Sequence, residues 1–121
     1  MIFGIGCDII EIDRIANTDK RFLEKHFTEN ERELFLKKKN ASESIAANFA
    51  VKEAFSKALG TGVRGFSLNE IEVLRDELGK PYINVIGKAK EITENNGIKN
   101  IFVSLSHSKE LAIGYVVLEK E

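Results

Sequence analysis

Ile2 to Ile12 is almost continuously apolar and rich in β-branched residues, which predicts a buried strand. Asp19 to Phe27 has the spacing of a short helix. Thr28-Glu29-Asn30-Glu31 matches a capping box, with Thr28 as N-cap and Glu31 reaching back, and opens a second helix to about Lys38. A longer helical period runs to Leu59, with Ser42 as its candidate cap. Gly60-Thr61-Gly62 ends it, with Gly60 where left-handed geometry is needed. Ile71–Leu74 and Tyr82–Val85 read as a hairpin around Asp76 to Pro81. Gly87 to Asn96 predicts a helix stopped at Asn96-Gly97. Ile101–Ser106 and Leu111–Leu118 are strands flanking a polar turn at His107 to Glu110. The sum is one α+β domain over residues 1–121, a mostly antiparallel sheet packed against one long helix plus shorter helices.

On a wheel of about 100° per residue, the long helix has two polar features. Ser44, Asn48, Lys52 and Ser56 form one stripe, the expected solvent face. Glu53 and Lys57 lie off that stripe, beside Ala46, Phe49 and Ala50. An acid and a base four residues apart therefore share a face cleared by small residues. By itself the pair reads most simply as an i,i+4 ion pair worth a few tenths of a kcal/mol. Features elsewhere in the chain change that.

In the first strand, Gly4, Gly6 and Asp8 fall on one face, because side chains alternate. Paired glycines inside a strand mark a place where something approaches the backbone closely. Asp8 stands at the edge of that bare patch, followed by Ile10 and Ile12, and needs a positive partner there. At the other end of the chain, Leu105-Ser106-His107-Ser108 invites comparison with a Ser–His hydrolase. Strand neighbours point to opposite faces, and no strand–turn–helix nucleophile elbow is present, so that reading is rejected.

Composition narrows the choices. The chain has 121 residues, 43% hydrophobic and 31% charged, with a net charge of −1. Bulk charge gives no reason to expect nucleic acid, and no apolar run is long enough to span a bilayer. A single cysteine, Cys7, suits a reducing cytoplasm and reads as core. Neither histidine has a partner at zinc-ligand spacing. Basic residues gather at Arg14, Lys20, Arg21 and Lys25, and again at Lys37-Lys38-Lys39. Two carboxylates with a nearby lysine suit a hard cation such as Mg²⁺ set against phosphate oxygens. Gly60-Thr61-Gly62 offers backbone amides for a phosphate, although it lacks the P-loop spacing. The residues alone thus point to a Mg²⁺-dependent enzyme acting on a phosphate ester.

Three motifs in this order carry a more specific likeness. Gly4-Ile5-Gly6-Cys7-Asp8-Ile9, then Phe49-Ala50-Val51-Lys52-Glu53-Ala54-Phe55-Ser56-Lys57 through Gly62, then Leu105-Ser106-His107-Ser108 resemble the short-chain 4′-phosphopantetheinyl transferases. The likeness spans Ile2 to Val117. It implies transfer of 4′-phosphopantetheine from coenzyme A to a serine of apo acyl carrier protein, releasing 3′,5′-ADP. It implies that Asp8 and Glu53 hold Mg²⁺, that Glu53 helps deprotonate the serine, and that Lys57 holds a phosphate. Ser106 and His107 match positions at the nucleotide end of coenzyme A, as do Gly60, Gly62 and Pro81. Arg14, Arg21 and Lys25 would steer an acidic carrier protein. The likeness also implies a homotrimer with sites between subunits, so that His107 serves a neighbour's Glu53. Ile10 stands where longer, two-lobed relatives carry a third acid.

Two other function classes use the same residues. A Mg²⁺-dependent phosphatase or nucleotide hydrolase would employ Asp8, Glu53 and Lys57 without a protein acceptor. A non-catalytic coenzyme A-binding module would bind its ligand without Mg²⁺.

Overall fold

Nineteen residues without Gly or Pro, with alanine at 46, 47, 50, 54 and 58, build the element on which the rest is laid. In the computed structural model, which describes residues 1–121, this helix is α4 (Ala41–Leu59). Before it come β1 (Ile2–Glu11), α1 (Ile12–Ala16), α2 (Lys20–His26) and α3 (Glu29–Leu36). After it come a 3-10 turn (Leu68–Glu70), β2 (Ile71–Arg75), β3 (Pro81–Val85), α5 (Gly87–Asn95), β4 (Ile98–His107) and β5 (Leu111–Lys120). The strands form two antiparallel sheets: β1-β5-β4, with β5 central, and the hairpin β2-β3.

Helix α4 lies directly on the three-stranded sheet. A Cβ at Gly4 would overlap the Ala58 carbonyl oxygen, and one at Gly6 would overlap that of Ala54. Gly114 of β5 meets the backbone of Ala50 and Val51 in the same way. The glycines of the first strand therefore do mark a close approach, and what approaches is α4. Ala46, Ala50 and Ala54 are fully buried in this contact. Val51, Phe55 and Leu59 pack with Ile71, Val73, Val116 and Leu118 into the main core. Phe27, Phe35, Ile12, Ile15 and Ile45 form a second cluster under α1–α3.

The polar stripe of α4 corrects the sequence expectation. Asn48 and Lys52 are fully buried and Ser56 nearly so, because α3 and the β2-β3 hairpin cover that side. A wheel shows which residues share a face; it does not show how many layers will cover the helix. Every buried group is matched. Lys52 Nζ donates to Glu31 Oε1 at 2.7 Å, to Leu68 O at 3.0 Å and to Ile71 O. Asn48 Nδ2 donates to Glu31 Oε2 at 3.0 Å and Val73 O at 2.9 Å, and Arg75 donates to Asn48 Oδ1 at 2.7 Å. Ser56 Oγ donates to Glu53 O. No buried side-chain polar atom lacks a partner. Burial raises the Glu31 carboxyl and lowers the Lys52 ammonium from their ordinary values, while their mutual attraction opposes both shifts.

Termini follow their local chemistry. Asp19 caps α2 through Phe22 N, and Thr28 with Glu31 forms the expected capping box. Gly60 closes α4 at φ +84°. Two details differ from expectation. Helix α4 starts after Asn40, without a side-chain cap, so Ser42 lies inside its first turn. The strand stops at Glu11, one residue short of the expected Ile12, which instead begins the five-residue α1 and is buried with Ile15.

Lys52→Met is expected to destabilise the protein by about 3–5 kcal/mol, because it leaves the Glu31 carboxylate buried and unpaired. Glu31→Gln combined with Lys52→Met should recover much of the loss. Urea unfolding of the three proteins checks this; a single variant as stable as the parent would remove the pair from the account.

Candidate functional site

Asp8 comes from β1, two residues beyond the point where Gly6 touches α4. Glu53 and Lys57 come from the last turns of α4, on the side facing β1. Lys57 Nζ donates to Asp8 Oδ1 at 2.9 Å and to Cys7 O at 3.1 Å. Residues distant in sequence thus meet, and Asp8 has the positive partner its position called for. Asp8 and Glu53 open on one cleft of about 440 Å³. Arg14 of α1 is exposed at that cleft, and Ile15, Thr18, Phe22 and Phe49 form its other walls.

The electrostatics suit a cation. Burial raises the Glu53 carboxyl above its ordinary value, and the Asp8 charge raises it further, with Lys57 opposing both. The Asp8 hydrogen bond, followed by its charge, raises Lys57. An ammonium already sits on Asp8, so this oxygen edge attracts positive charge. The donor set is two carboxylates, with no third His, Cys, Asp or Glu grouped beside them. Hard oxygen donors in a pair, with room for solvent and phosphate oxygens, fit Mg²⁺ and do not fit zinc.

The other expected residues are spread wider. Gly60 and Gly62 follow α4 with open space over each. Their amides are not free for a phosphate, which corrects the expectation: Gly60 N donates to Lys57 O and Gly62 N to Ser56 O. Helix C-termini carry unpaired carbonyls that local amides satisfy first. Pro81 opens β3, opposite Arg75 on the smaller sheet. Arg21 and Lys25 are exposed on α2, whose Phe22 turns into the cleft. Ser106 and His107 end β4. Ser106 pairs with Ile113 and is exposed on the face of the sheet away from α4. His107 pairs with the buried Ala112, and its Nδ1 lies 3.2 Å from Glu43 Oε2. Ser108 Oγ accepts from the amides of Glu110 and Leu111, a turn role and not a nucleophile's. The sequence reasoning missed Glu43; its only signal was an acid in the first turn of α4.

A larger cavity, about 540 Å³, lies by Thr28, Phe66 to Glu70 and Gly87. It contains neither Asp8 nor Glu53, and its one carboxylate, Glu70, already accepts from Ser67 N and Lys88 N. No helix is long and apolar enough to cross a membrane.

This fold recurs in known proteins. The sequence pattern of the 4′-phosphopantetheinyl transferase superfamily matches residues 4–116, and the chain belongs to that family. A holo-[acyl-carrier-protein] synthase of Clostridium perfringens is 51% identical, over 100% of this chain and 96% of that protein. One from Alkaliphilus oremlandii is 46% identical, over 97% of this chain and 98% of its own. Among solved structures, the holo-[acyl-carrier-protein] synthase of Neisseria meningitidis superposes with a TM-score of 0.92 at 34% identity, covering 99% of this chain and 100% of that one. The Bacillus anthracis enzyme, solved in complex with CoA (3′,5′-ADP), gives 0.84 at 41% identity, covering 100% and 99%.

The raised Glu53 has a consequence for acid. Its folded value lies above its unfolded one, so the folded, metal-free protein binds a proton more readily. Metal-free stability should therefore rise as pH falls through the raised Glu53 value toward the ordinary glutamate range. Mg²⁺ affinity should weaken over the same window. Glu53→Gln should remove this acid-side gain and abolish Mg²⁺ binding at little cost in stability. Melting curves and calorimetry with Mg²⁺, taken from neutral pH down into the ordinary glutamate range, check it. A Glu53→Gln variant that melts far below the parent would make the residue structural.

Proposed function

We propose that this chain is a holo-[acyl-carrier-protein] synthase, transferring the 4′-phosphopantetheine arm of coenzyme A to a serine of apo acyl carrier protein. The observation that carries this is Asp8 and Glu53 on one cleft, with Lys57 bridging from α4 to β1. The full-length similarity to proteins of that activity supports it.

Phosphoryl transfer needs positioning and neutralised charge more than covalent help. Asp8 and Glu53 would hold Mg²⁺, which when bound supplies positive charge against the pyrophosphate of coenzyme A. Glu53, whose burial favours proton uptake, is the group to accept the serine proton, directly or through water. Lys57 lies over half exposed at the cleft, free to swing from Asp8 to a phosphate oxygen and to meet charge growing on 3′,5′-ADP. Phe22, Phe49 and Ile15 shield the Glu53 side from bulk water. Gly60, Gly62 and Pro81 contribute space and shape beside the nucleotide, and Ser106 and His107 contact its phosphate end.

His107 and Glu53 cannot grip one phosphate within a single chain. His107 sits at Glu43, ten residues before Glu53 on α4, or about 15 Å along the helix. The face of β1-β5-β4 away from α4 meanwhile exposes Ile5, Ile9, Phe102, Ile113 and Tyr115, and Cys7, expected in the core, is exposed among them because it alternates away from α4. A trimer assembled on this face would bring the Ser106–His107 end of one copy to a neighbour's cleft. It would also cover the Cys7 thiol, which suits a reducing cytoplasm. Arg14 at the cleft, with Arg21 and Lys25 exposed on α2, would present positive charge to an acidic carrier protein.

Incubation with coenzyme A, Mg²⁺ and apo acyl carrier protein should add one phosphopantetheine to the carrier, read by intact mass, and EDTA should abolish the gain. Coenzyme A consumed without a carrier would favour the hydrolase. Coenzyme A bound with no transfer to several carriers would favour the binding module.

Two substitutions separate the surfaces. Arg21→Glu should raise KM for the carrier about tenfold, an effect that added salt mimics, and leave KM for coenzyme A nearly unchanged. Tyr115→Glu should split the assembly in sedimentation and lower transfer with it. Equal losses for both substrates in Arg21→Glu, or a monomeric parent, would contradict the respective assignments.

A further inference from the structure

Glu43 lies in the first turn of α4, where an acid is ordinarily explained by the helix dipole. Its geometry asks for more. Its Oε2 reaches 3.2 Å from His107 Nδ1, across from α4 to the last residue of β4. The two side chains are only 30% and 41% exposed, so each is held while one edge of the ring stays open. His107 has no other polar partner, and Glu43 none beyond His107.

An acceptor this close to Nδ1 selects the tautomer with its proton there and fixes the ring plane. Nε2 is then the nitrogen left to face a ligand. When the ring is doubly protonated, Nδ1–H points at Glu43 and Nε2–H becomes a charge-assisted donor to a phosphate oxygen. Without Glu43, His107 at a strand end would turn freely about its side-chain bonds and lose this presentation.

We propose that Glu43 is a positioning residue: it orients His107 so that Nε2 meets a phosphate of the nucleotide donor. This rests on the transferase reading and on His107 as a donor contact. Glu43 itself touches neither substrate. Its contribution is to binding the donor, not to the chemical step, which belongs to Asp8, Glu53 and Lys57.

The test is a double-mutant cycle with a spectroscopic arm. Glu43→Ala should raise KM for coenzyme A about three- to tenfold, the effect of one lost hydrogen bond, with kcat within about twofold. Glu43→Gln, which keeps an acceptor, should change KM less. In a His107→Ala background, Glu43→Ala should add nothing, because it acts through the ring. Nitrogen-15 NMR should show neutral His107 protonated at Nδ1 in the parent and in Glu43→Gln, and shifted toward the Nε2–H form in Glu43→Ala. The same KM rise with and without His107 would mean a helix-end role and overturn the proposal. So would a lost Nδ1–H tautomer with KM unchanged. If the parent transfers nothing, the transferase reading falls; coenzyme A affinity by calorimetry then replaces KM in the same cycle, and the proposal fails there if the two substitutions are additive.

Discussion

The rotation of α4 about its own axis is set by Lys52. Its ammonium is fully buried and reaches Glu31 of α3 and the carbonyls of Leu68 and Ile71. A buried ion pair is weak evidence for net stability, since desolvation offsets much of the attraction. Its strength is in what it forbids. Rotating α4 by one residue would carry Lys52 away from its acceptors and strand Glu31 at the start of α3. Glu53, the next residue along, then has only one direction available, about 100° away and toward β1. The neighbouring charges of Lys52-Glu53 thus have opposite fates, one locked inward and one delivered to the cleft.

Rotation alone would not place Asp8. Depth is set by Gly4, Gly6 and Gly114, whose missing side chains let the α4 backbone rest on β1 and β5. An alanine at Gly6 would overlap the Ala54 carbonyl and push helix from strand. Asp8 follows Gly6 on the same strand face, so the contact that brings helix and strand together also brings Lys57 to Asp8 at 2.9 Å. Core packing and site geometry are here one constraint, with small residues on both partners.

Much of this was legible in the sequence. The helix-period run, the capping box at Thr28 and the left-handed Gly60 depend on local rules, and each appears as expected. The meeting of Asp8, Glu53 and Lys57 was legible because an acid beside two strand glycines and an acid–base pair on a small-residue face both lack local partners. What failed shares a different cause. Whether Ser44 to Ser56 faces solvent depends on α3 and a hairpin more than twenty residues away in places, and no wheel contains them. The amides of Gly60 and Gly62 read as free for a ligand, but the carbonyls of Lys57 and Ser56 claim them first. Glu43 was invisible because its partner, His107, is brought to it only by the pairing of β4 with β5 under α4.

The charges in the cleft form a sequence of claims on one ammonium. Lys57 donates a hydrogen bond to Asp8, while Glu53 receives only the pull of its charge, which burial outweighs. Burial and the remaining Asp8 field then favour a proton on Glu53. Lys57 Nζ spends two of its three N–H donors on Asp8 and Cys7 O, which leaves one for a phosphate oxygen. A cation held between Asp8 and Glu53 would weaken the hold of Asp8 on Lys57 and favour the ionised form of Glu53. One binding event would then turn Lys57 toward a phosphate and Glu53 toward use as a base. Until then burial biases Glu53 toward its proton, and Lys57 stays hydrogen-bonded to Asp8. Two acids and one lysine, held by a rotation and a depth fixed elsewhere in the core, are sufficient for that coupling.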